Sequence, residues 1–287
     1  MAIRLDSRPI AITGASSGIG AATARACARR GMPVALAARR VDRIEALASQ
    51  IRSSGARAIA IPCDVTSDED CQNLIERTID AFGSIYSVFA NAGYGFEASV
   101  LDTEDDRWNR IMDVNVLGTL RVVRPAARAM LKAGEGHIML CSSALSKITL
   151  PEYSAYSASK ACQDHIGRAM RHELRASGVQ VSTVHPIGTR TEFFDNLKAG
   201  GTGEPATEDR STTIAGDSRS LQRPEQVASA IVRRLASGKG GEVWTSLSTR
   251  TLLGVATMAP AIGDWGIRKR REKSRAKRQG ASGSESK

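Results

Sequence analysis

Tyr156 and Lys160 stand four residues apart in a stretch of helical periodicity, so their side chains share one face of the expected helix. A phenol ionises near pH ~10, too high for ready proton exchange at neutrality, but a neighbouring ammonium stabilises the phenolate and draws that value down. Such a pair is a general acid and base in waiting. A tyrosine and a lysine at this spacing also occur on any wet helix face, so the pair gains meaning from its company. Ser142 and Ser143 close an earlier strand-like run, and a hydroxyl beside a carbonyl oxygen steadies negative charge that develops there. Near the start, Thr13-Gly14-Ala15-Ser16-Ser17-Gly18-Ile19-Gly20 lies between a strand-like run and a helical one. Glycines at that junction let backbone N–H groups approach a pyrophosphate, and the helix N-terminus adds the positive end of its dipole. Gly14, Ser16, Ser17, Gly18, Ile19 and Gly20 are therefore candidate phosphate contacts. The same stretch also reads as a G-x-S-x-G nucleophile elbow. An elbow needs strands and an oxyanion loop upstream, which the thirteen residues before Gly14 are too few to supply.

The elements that must position these groups alternate regularly. Strand-sized apolar runs fall at Ile10–Thr13, Pro33–Ala38, Ala58–Pro62, Ile85–Ala90, His137–Cys141, Val179–His185 and Glu242–Ser246. Helix-period segments fall between them at Ala21–Arg30, Ile44–Arg52, Asp68–Phe82, Asp105–Ala133 and Tyr156–Ala176, several closed by glycines at 31, 55, 83, 134 and 178. This β-α repetition predicts an α/β fold, a doubly wound parallel sheet with helices on both faces. Gly188–Gln222 interrupts the rhythm with a long polar run rich in Gly, Thr and Ser, which reads as a substrate loop.

Composition narrows the class. Of 287 residues, 41% are hydrophobic, as in a globular chain. The formal charge is +10, but Arg268–Lys287 holds nine basic residues against two acidic ones, so the body carries only +3. The charge belongs to a tail and does not argue for a nucleic-acid-binding body. Five cysteines, with no Cys-x-x-Cys pair, read as buried reduced thiols, and the four histidines lack metal-ligand spacing, so no metal is expected. The start lacks a continuous apolar leader, making a cytoplasmic protein the expectation. The apolar-rich run Thr251–Gly263 has thirteen residues including Pro260, too few to span a bilayer.

The glycine loop, Asp64-Val65, Asn91-Ala92-Gly93, Asn115, Ser142-Ser143 and Tyr156-x-x-x-Lys160 together resemble, in order and spacing, the short-chain dehydrogenase/reductase family, from about Ile10 to Phe194. The resemblance implies one Rossmann domain with about seven strands. It implies Asp64 and Val65 at the adenine, Asn91, Ala92 and Gly93 beside the cofactor, and Pro186, Thr189 and Thr191 near the nicotinamide amide. It selects Ser143 over Ser142 as the catalytic serine, thirteen residues before the tyrosine. It also implies that Tyr156 passes the proton, that Lys160 holds the cofactor ribose, and that the Asn115 carbonyl binds a water linked to Lys160. Two departures stand out: Ala90 precedes Asn91 where the family commonly has a second asparagine, and Ile187 replaces the glycine after Pro186.

The run Val34–Ala38 carries no acidic residue at its end to pair with a ribose 2′-hydroxyl; Ala38 is followed by Arg39 and Arg40. Guanidinium groups there grip a 2′-phosphate, which favours NADP(H). The expectation is an NADP(H)-dependent oxidoreductase acting on a small-molecule carbonyl or secondary alcohol, with a slow NADP(H)-binding sensor or scaffold as the alternative. Arg128 stands where carrier-protein reductases of the family dock their partner, but the chain lacks their Asp-Gly-Gly after the last strand, so a carrier-bound substrate is the lesser expectation. The domain is expected at 1–247 with its substrate loop at 188–222, an apolar extension at 248–267 and a basic, disordered tail at 268–287. A homodimer or homotetramer is expected, without nucleic acid, and the tail offers a peripheral contact to an anionic membrane.

Overall fold

A computed structural model describes residues 3–192 and 221–269. Seven strands, β1 (Ile10–Thr13), β2 (Val34–Ala38), β3 (Ala58–Pro62), β4 (Ser87–Ala90), β5 (Gly136–Cys141), β6 (Val179–His185) and β7 (Gly241–Trp244), form one sheet in the order β3-β2-β1-β4-β5-β6-β7. Every pairing is parallel. The helices are α1 (Gly18–Ala28), α2 (Val41–Ser53), α3 (Asp68–Phe82), α4 (Asp105–Met112), α5 (Gly118–Ala133), α6 (Ser154–Glu173), α7 (Pro224–Ser237) and α8 (Leu247–Met258), with a further helical turn sequence at 260–269.

Alternation along the strands divides the core in two. Ile10, Ile12, Val34, Leu36 and Phe89 point to the face covered by α1, α2 and α7, whereas Ala11, Ala35, Ala37, Val88 and Ala90 point to the face covered by α3 and α5. Both faces are dry, which is why these strands show no polar alternation. The left-handed caps Gly83 (φ 81°) and Gly134 (φ 71°) end α3 and α5 where the sequence predicts stops. The order reverses between β1 and β4, and a doubly wound sheet opens its binding crevice at the C-terminal ends of such a pair.

The structure corrects several boundaries. The helix expected over Asp105–Ala133 is not continuous: a π-turn at Asp113–Leu117 separates α4 from α5. Four cysteines are buried, but Cys162 is only half-buried. Most of the substrate loop, 193–220, and the tail beyond 269 lie outside the described residues. Among the described residues, no helix is long and apolar enough to cross a membrane.

Candidate active site

The crevice is built from the end of β1. The Thr13 hydroxyl oxygen accepts from the backbone N–H of Asn91 (3.0 Å) and of Ala92 (3.1 Å), while Asn91 Nδ2 donates to the Thr13 carbonyl at 3.0 Å. β1 and the segment after β4 are thereby fastened side by side. Gly14 follows with φ +64°, and a Cβ there would stand 2.9 Å from Asn91 Nδ2 and 3.0 Å from the Ala92 Cα, so only glycine fits. Thr13 was visible in the motif, but its clamp joins residues 78 and 79 positions apart and had no local signal.

α1 starts at Gly18, and the Ser17 side chain does not cap it. The Ser17 hydroxyl instead accepts from Arg40 Nη2 (2.9 Å), which also reaches Ser16 Oγ (2.9 Å). The Ser17 side chain thus leaves the amide donors of the first helical turn uncapped, as anion binding at a helix N-terminus requires. Arg40 and Arg43 share the carboxylate of Glu192, at 2.8 and 2.6 Å. Arg39 extends into solvent and stands 3.9 Å from Asp64. Burial opposes ionisation of Asp64, but its hydrogen bonds from the Thr66 N–H and hydroxyl hold its pKa below the usual carboxylate range. Asp64 does not cap α3; Ser67 does, accepting from the Asp70 N–H at 3.1 Å. Val65 is buried.

The polypeptide after β6 returns to the glycine loop. Pro186 accepts the Ala144 N–H through its carbonyl at 3.0 Å. Thr189 Oγ1 donates to the Ile187 carbonyl at 2.6 Å, and Gln222 Nε2 donates to the same carbonyl at 2.7 Å. Thr191 packs on Gly18, where a Cβ would meet its Cγ2 at 2.9 Å. Ile187, the departure from the family pattern, thus supplies a carbonyl that ties the two ends of the long loop.

At the catalytic end, Tyr156, Lys160, Ser143 and Asn115 are all buried and all converge beside the C-terminal end of β5. Ser143 Oγ is hydrogen-bonded with the Tyr156 hydroxyl and accepts from the Leu145 N–H at 3.1 Å. Ser142 faces elsewhere, donating to the Lys160 carbonyl at 2.9 Å. The Lys160 ammonium lies 5.6 Å from the centre of the Tyr156 ring and donates to the Cys141 carbonyl and to Gln163 Oε1, both at 2.8 Å. The expected lowering of the phenol pKa is not what dominates. Burial pushes Tyr156 upward, with the Ser143 hydrogen bond opposing it, and burial likewise lowers Lys160.

Asn115 sits inside the π-turn. Its Nδ2 donates to the Tyr94 carbonyl and to Ser159 Oγ, both at 2.9 Å, and its Oδ1 accepts the Tyr94 N–H at 3.0 Å. Its main-chain carbonyl accepts from Thr119 Oγ1 and from Gln163 Nε2, both at 2.8 Å. Two side-chain donors thus engage the carbonyl that the family pattern offers to a water. Gly93 completes the floor; a Cβ there would stand 3.0 Å from Asn115 Oδ1 and 3.4 Å from Lys160 Nζ. Beside Tyr156 lies an apolar cluster including Phe96, Ala98, Ile111, Tyr153 and Leu145.

Sequence spacing also missed a second polar cluster. Asp164, His185 and Glu242 bring ligand-type atoms within 4.8 Å of one another. The Lys147 ammonium stands among them, 2.6 Å from Asp164 and 2.7 Å from Glu242, and supplies the positive charge. Burial works against Glu242, yet hydrogen bonds from Lys147 and Trp244 hold its pKa down at about 2.

The sheet order, with a glycine loop at its point of reversal, defines a Rossmann-type nucleotide-binding protein. The profile of the short chain dehydrogenase family matches residues 8–201. A γ-butyrolactone 1′-reductase of the A-factor type from Streptomyces virginiae is 36% identical over 191 residues, covering 66% of this chain and 74% of the relative. The glycine betaine reductase of Emericella nidulans is 35% identical over 190 residues, and that match spans only 15% of the much longer fungal protein. A short-chain dehydrogenase/reductase structure from Mycobacterium marinum superimposes with a TM-score of 0.72 at 31% identity, covering 83% of this chain and 94% of that one. The chain belongs to the short-chain dehydrogenase/reductase family, whose members are NAD(P)-dependent oxidoreductases.

Proposed function

We propose that this protein is an NADP(H)-dependent oxidoreductase interconverting a carbonyl and a secondary alcohol, with Tyr156 as its general acid and base. The observation that carries the reading is the convergence of Tyr156, Ser143 and Lys160, all buried, at the end of the crevice that begins with the glycine loop. Bound NADP(H) supplies or accepts the hydride. Gly14, Ser16, Ser17, Gly18, Ile19 and Gly20 hold its pyrophosphate, a role supported by the close backbone approach at Gly14 and the uncapped first turn of α1. Asp64 and Val65 hold the adenine, Asn91, Ala92 and Gly93 flank the cofactor, and Pro186, Thr189 and Thr191 hold the nicotinamide amide.

In reduction, Tyr156 gives its hydroxyl proton to the carbonyl oxygen, Ser143 donates a hydrogen bond to that oxygen, and Lys160 stabilises the phenolate left behind. Oxidation runs the same proton transfer in reverse. The apolar cluster around Phe96 and Tyr153 favours an apolar substituent on the substrate. Arg39 and Arg40 select the 2′-phosphate, because Ala38 leaves the strand end without a carboxylate to repel it. A scaffold that merely binds NADP(H) has no use for a buried tyrosine paired with serine, which favours the enzyme over that alternative.

The domain runs over 1–247, with the substrate loop at 188–222, the extension at 248–267 and the tail at 268–287. The protein is cytoplasmic and assembles as a homodimer or homotetramer, a reading supported by Leu117 and Leu131 exposed near α5. The basic tail offers a peripheral contact to anionic membrane. Ketones, aldehydes and alcohols offered with NADPH, NADH or their oxidised forms test the activity through the nicotinamide absorbance. Turnover with NADPH and an apolar ketone is expected; binding of NADPH without turnover of any carbonyl or alcohol would favour the scaffold.

A further inference from the structure

Gln163 lies three residues after Lys160 on α6 and is completely buried. Its Oε1 accepts from the Lys160 ammonium at 2.8 Å, while its Nε2 donates to the Asn115 carbonyl at 2.8 Å and to Thr119 Oγ1 at 2.6 Å. The orientation of this amide is forced. An ammonium only donates and a carbonyl only accepts, so turning the amide over would oppose like partners at both ends. Lys160 has three N–H donors, and the Cys141 carbonyl and Gln163 take two of them. Both acceptors are neutral, so neither cancels the positive charge of the ammonium, which stands 5.6 Å from the centre of the Tyr156 ring with one N–H donor to spare. A carboxylate in place of the amide would hold the lysine equally well but cancel its field.

We infer that Gln163 is a positioning residue for catalysis, a strut that fixes the Lys160 ammonium beside Tyr156 without neutralising it and locks it to the π-turn through Asn115. This inference rests on the proposed role of Tyr156 and Lys160. Among the described residues, the titratable groups facing the pair are the Cys141 thiol from β5 and Tyr153, which is bonded to Glu97 on the substrate side. None of them is a fixed positive charge, so the field on the phenol depends on where the strut holds Lys160.

Gln163→Met keeps the length and removes the acceptor; Gln163→Glu keeps an acceptor and adds a counter-charge. In alcohol oxidation, Tyr156 acts as base, so the rate rises with pH through its ionisation. Both variants weaken phenolate stabilisation, and both are expected to move that rise upward by on the order of one pH unit. They are also expected to lower kcat about tenfold, with the KM for the alcohol unchanged within about twofold, because Gln163 does not line the substrate side. Tyr156→Phe, assayed beside them, separates the two ideas. If Tyr156→Phe is inactive while both Gln163 variants keep the unaltered pH profile and kcat, the strut is wrong and the catalytic reading stands. If Tyr156→Phe remains active, the catalytic reading itself has failed. Thermal melting reports on folding, and should the methionine variant not fold, the isosteric glutamate variant decides alone.

Discussion

At the catalytic end of the crevice Lys160 is 4% exposed and Tyr156 9%. At the end proposed to take the adenosine, the side chains of Arg39, Arg40 and Glu192 are 72, 43 and 45% exposed. The same parallel sheet therefore offers one end where burial sets the proton affinities and another where charges meet in water. Buried groups lose solvation and are held by hydrogen bonds of fixed geometry, so removing one has a large effect. Exposed ion pairs are screened and exchange partners at little cost, which suits the phosphate recognition proposed for this end.

The sharpest way to break this contrast is at Tyr156. Tyr156→Phe keeps the ring and removes the transferable proton, and turnover is expected to fall at least about a hundredfold while NADPH binding persists. Because burial raises the Tyr156 pKa, the acid form prevails at neutrality. Carbonyl reduction should accordingly be flat through neutral pH and decline as pH climbs into the phenol range, with alcohol oxidation rising over the same interval. A reduction rate that instead grows with pH would contradict the assignment. Next in size is the serine pair. Ser143→Ala is expected to lower kcat by roughly tenfold to a hundredfold, and Ser142→Ala to lower it less, since Ser142 bonds only the Lys160 carbonyl among the contacts described. Steady-state kinetics showing the reverse order would overturn the division of roles.

At the exposed end the expected effects are smaller. NADPH should bind at least about tenfold more tightly than NADH, or ~1.4 kcal/mol, and Ala38→Asp with Arg39→Ala should reverse the preference. Equal affinities in the unaltered protein would remove the argument. Smaller still is Glu192→Gln. Its hydrogen bond with Arg40 is the main reason the Glu192 carboxyl titrates below its ordinary range, so the pair is closed at neutral pH. Freeing Arg40 and Arg43 is expected to tighten NADPH by only a fewfold, within the ~1 kcal/mol range of exposed ion pairs. Titration of both proteins at low and high salt measures it; weaker binding by the variant would mean that Glu192 helps to hold the cofactor.

The exposed and buried ends were not equally legible from the chain. Strand and helix order followed from apolar runs punctuated by glycine, because a sheet buried on both faces needs continuous apolar strands. Tyr156 and Lys160 stood out through local spacing, and the family resemblance then selected Ser143 over Ser142. The break at Asp113–Leu117 did not, since Asp-Val-Asn-Val-Leu contains neither proline nor glycine and the turn is accompanied by bonds from Asn115 to Tyr94, 21 residues away. Gln163 read as one more polar residue on a helix, and its partners Asn115 and Thr119 lie 48 and 44 positions off. Lys147 meets Glu242 across 95 positions. Long-range polar pairing leaves no periodic trace, so the supporting contacts of the site were the part that needed coordinates.

The smallest effect on catalysis is expected at the far end of the chain. On α8, Leu253 is buried and Thr257 Oγ1 donates to the Lys147 carbonyl at 3.1 Å, so this side faces the body. Leu247, Leu252, Val255 and Met258 fall on the other side and are exposed, as are Ile262 and Trp265 beyond them. Lys269 stands 4.8 Å from the centre of the Trp265 ring, and the basic run continues in the sequence. An apolar face beside clustered cations is the pattern of a peripheral contact with anionic lipid, where each Lys or Arg near the surface contributes about 1 kcal/mol. A second copy of the chain would bring the same positive run against its own, which disfavours self-association through this face. Truncation after Ile267 removes the basic residues and spares every body contact of α8, so the melting temperature and NADPH-dependent turnover should not change. Sedimentation with vesicles of anionic lipid should show binding by the full chain that salt abolishes and the truncated chain lacks. Equal sedimentation of both would move the contact from the charges to the apolar face, and loss of folding on truncation would show that 268–287 packs against the domain.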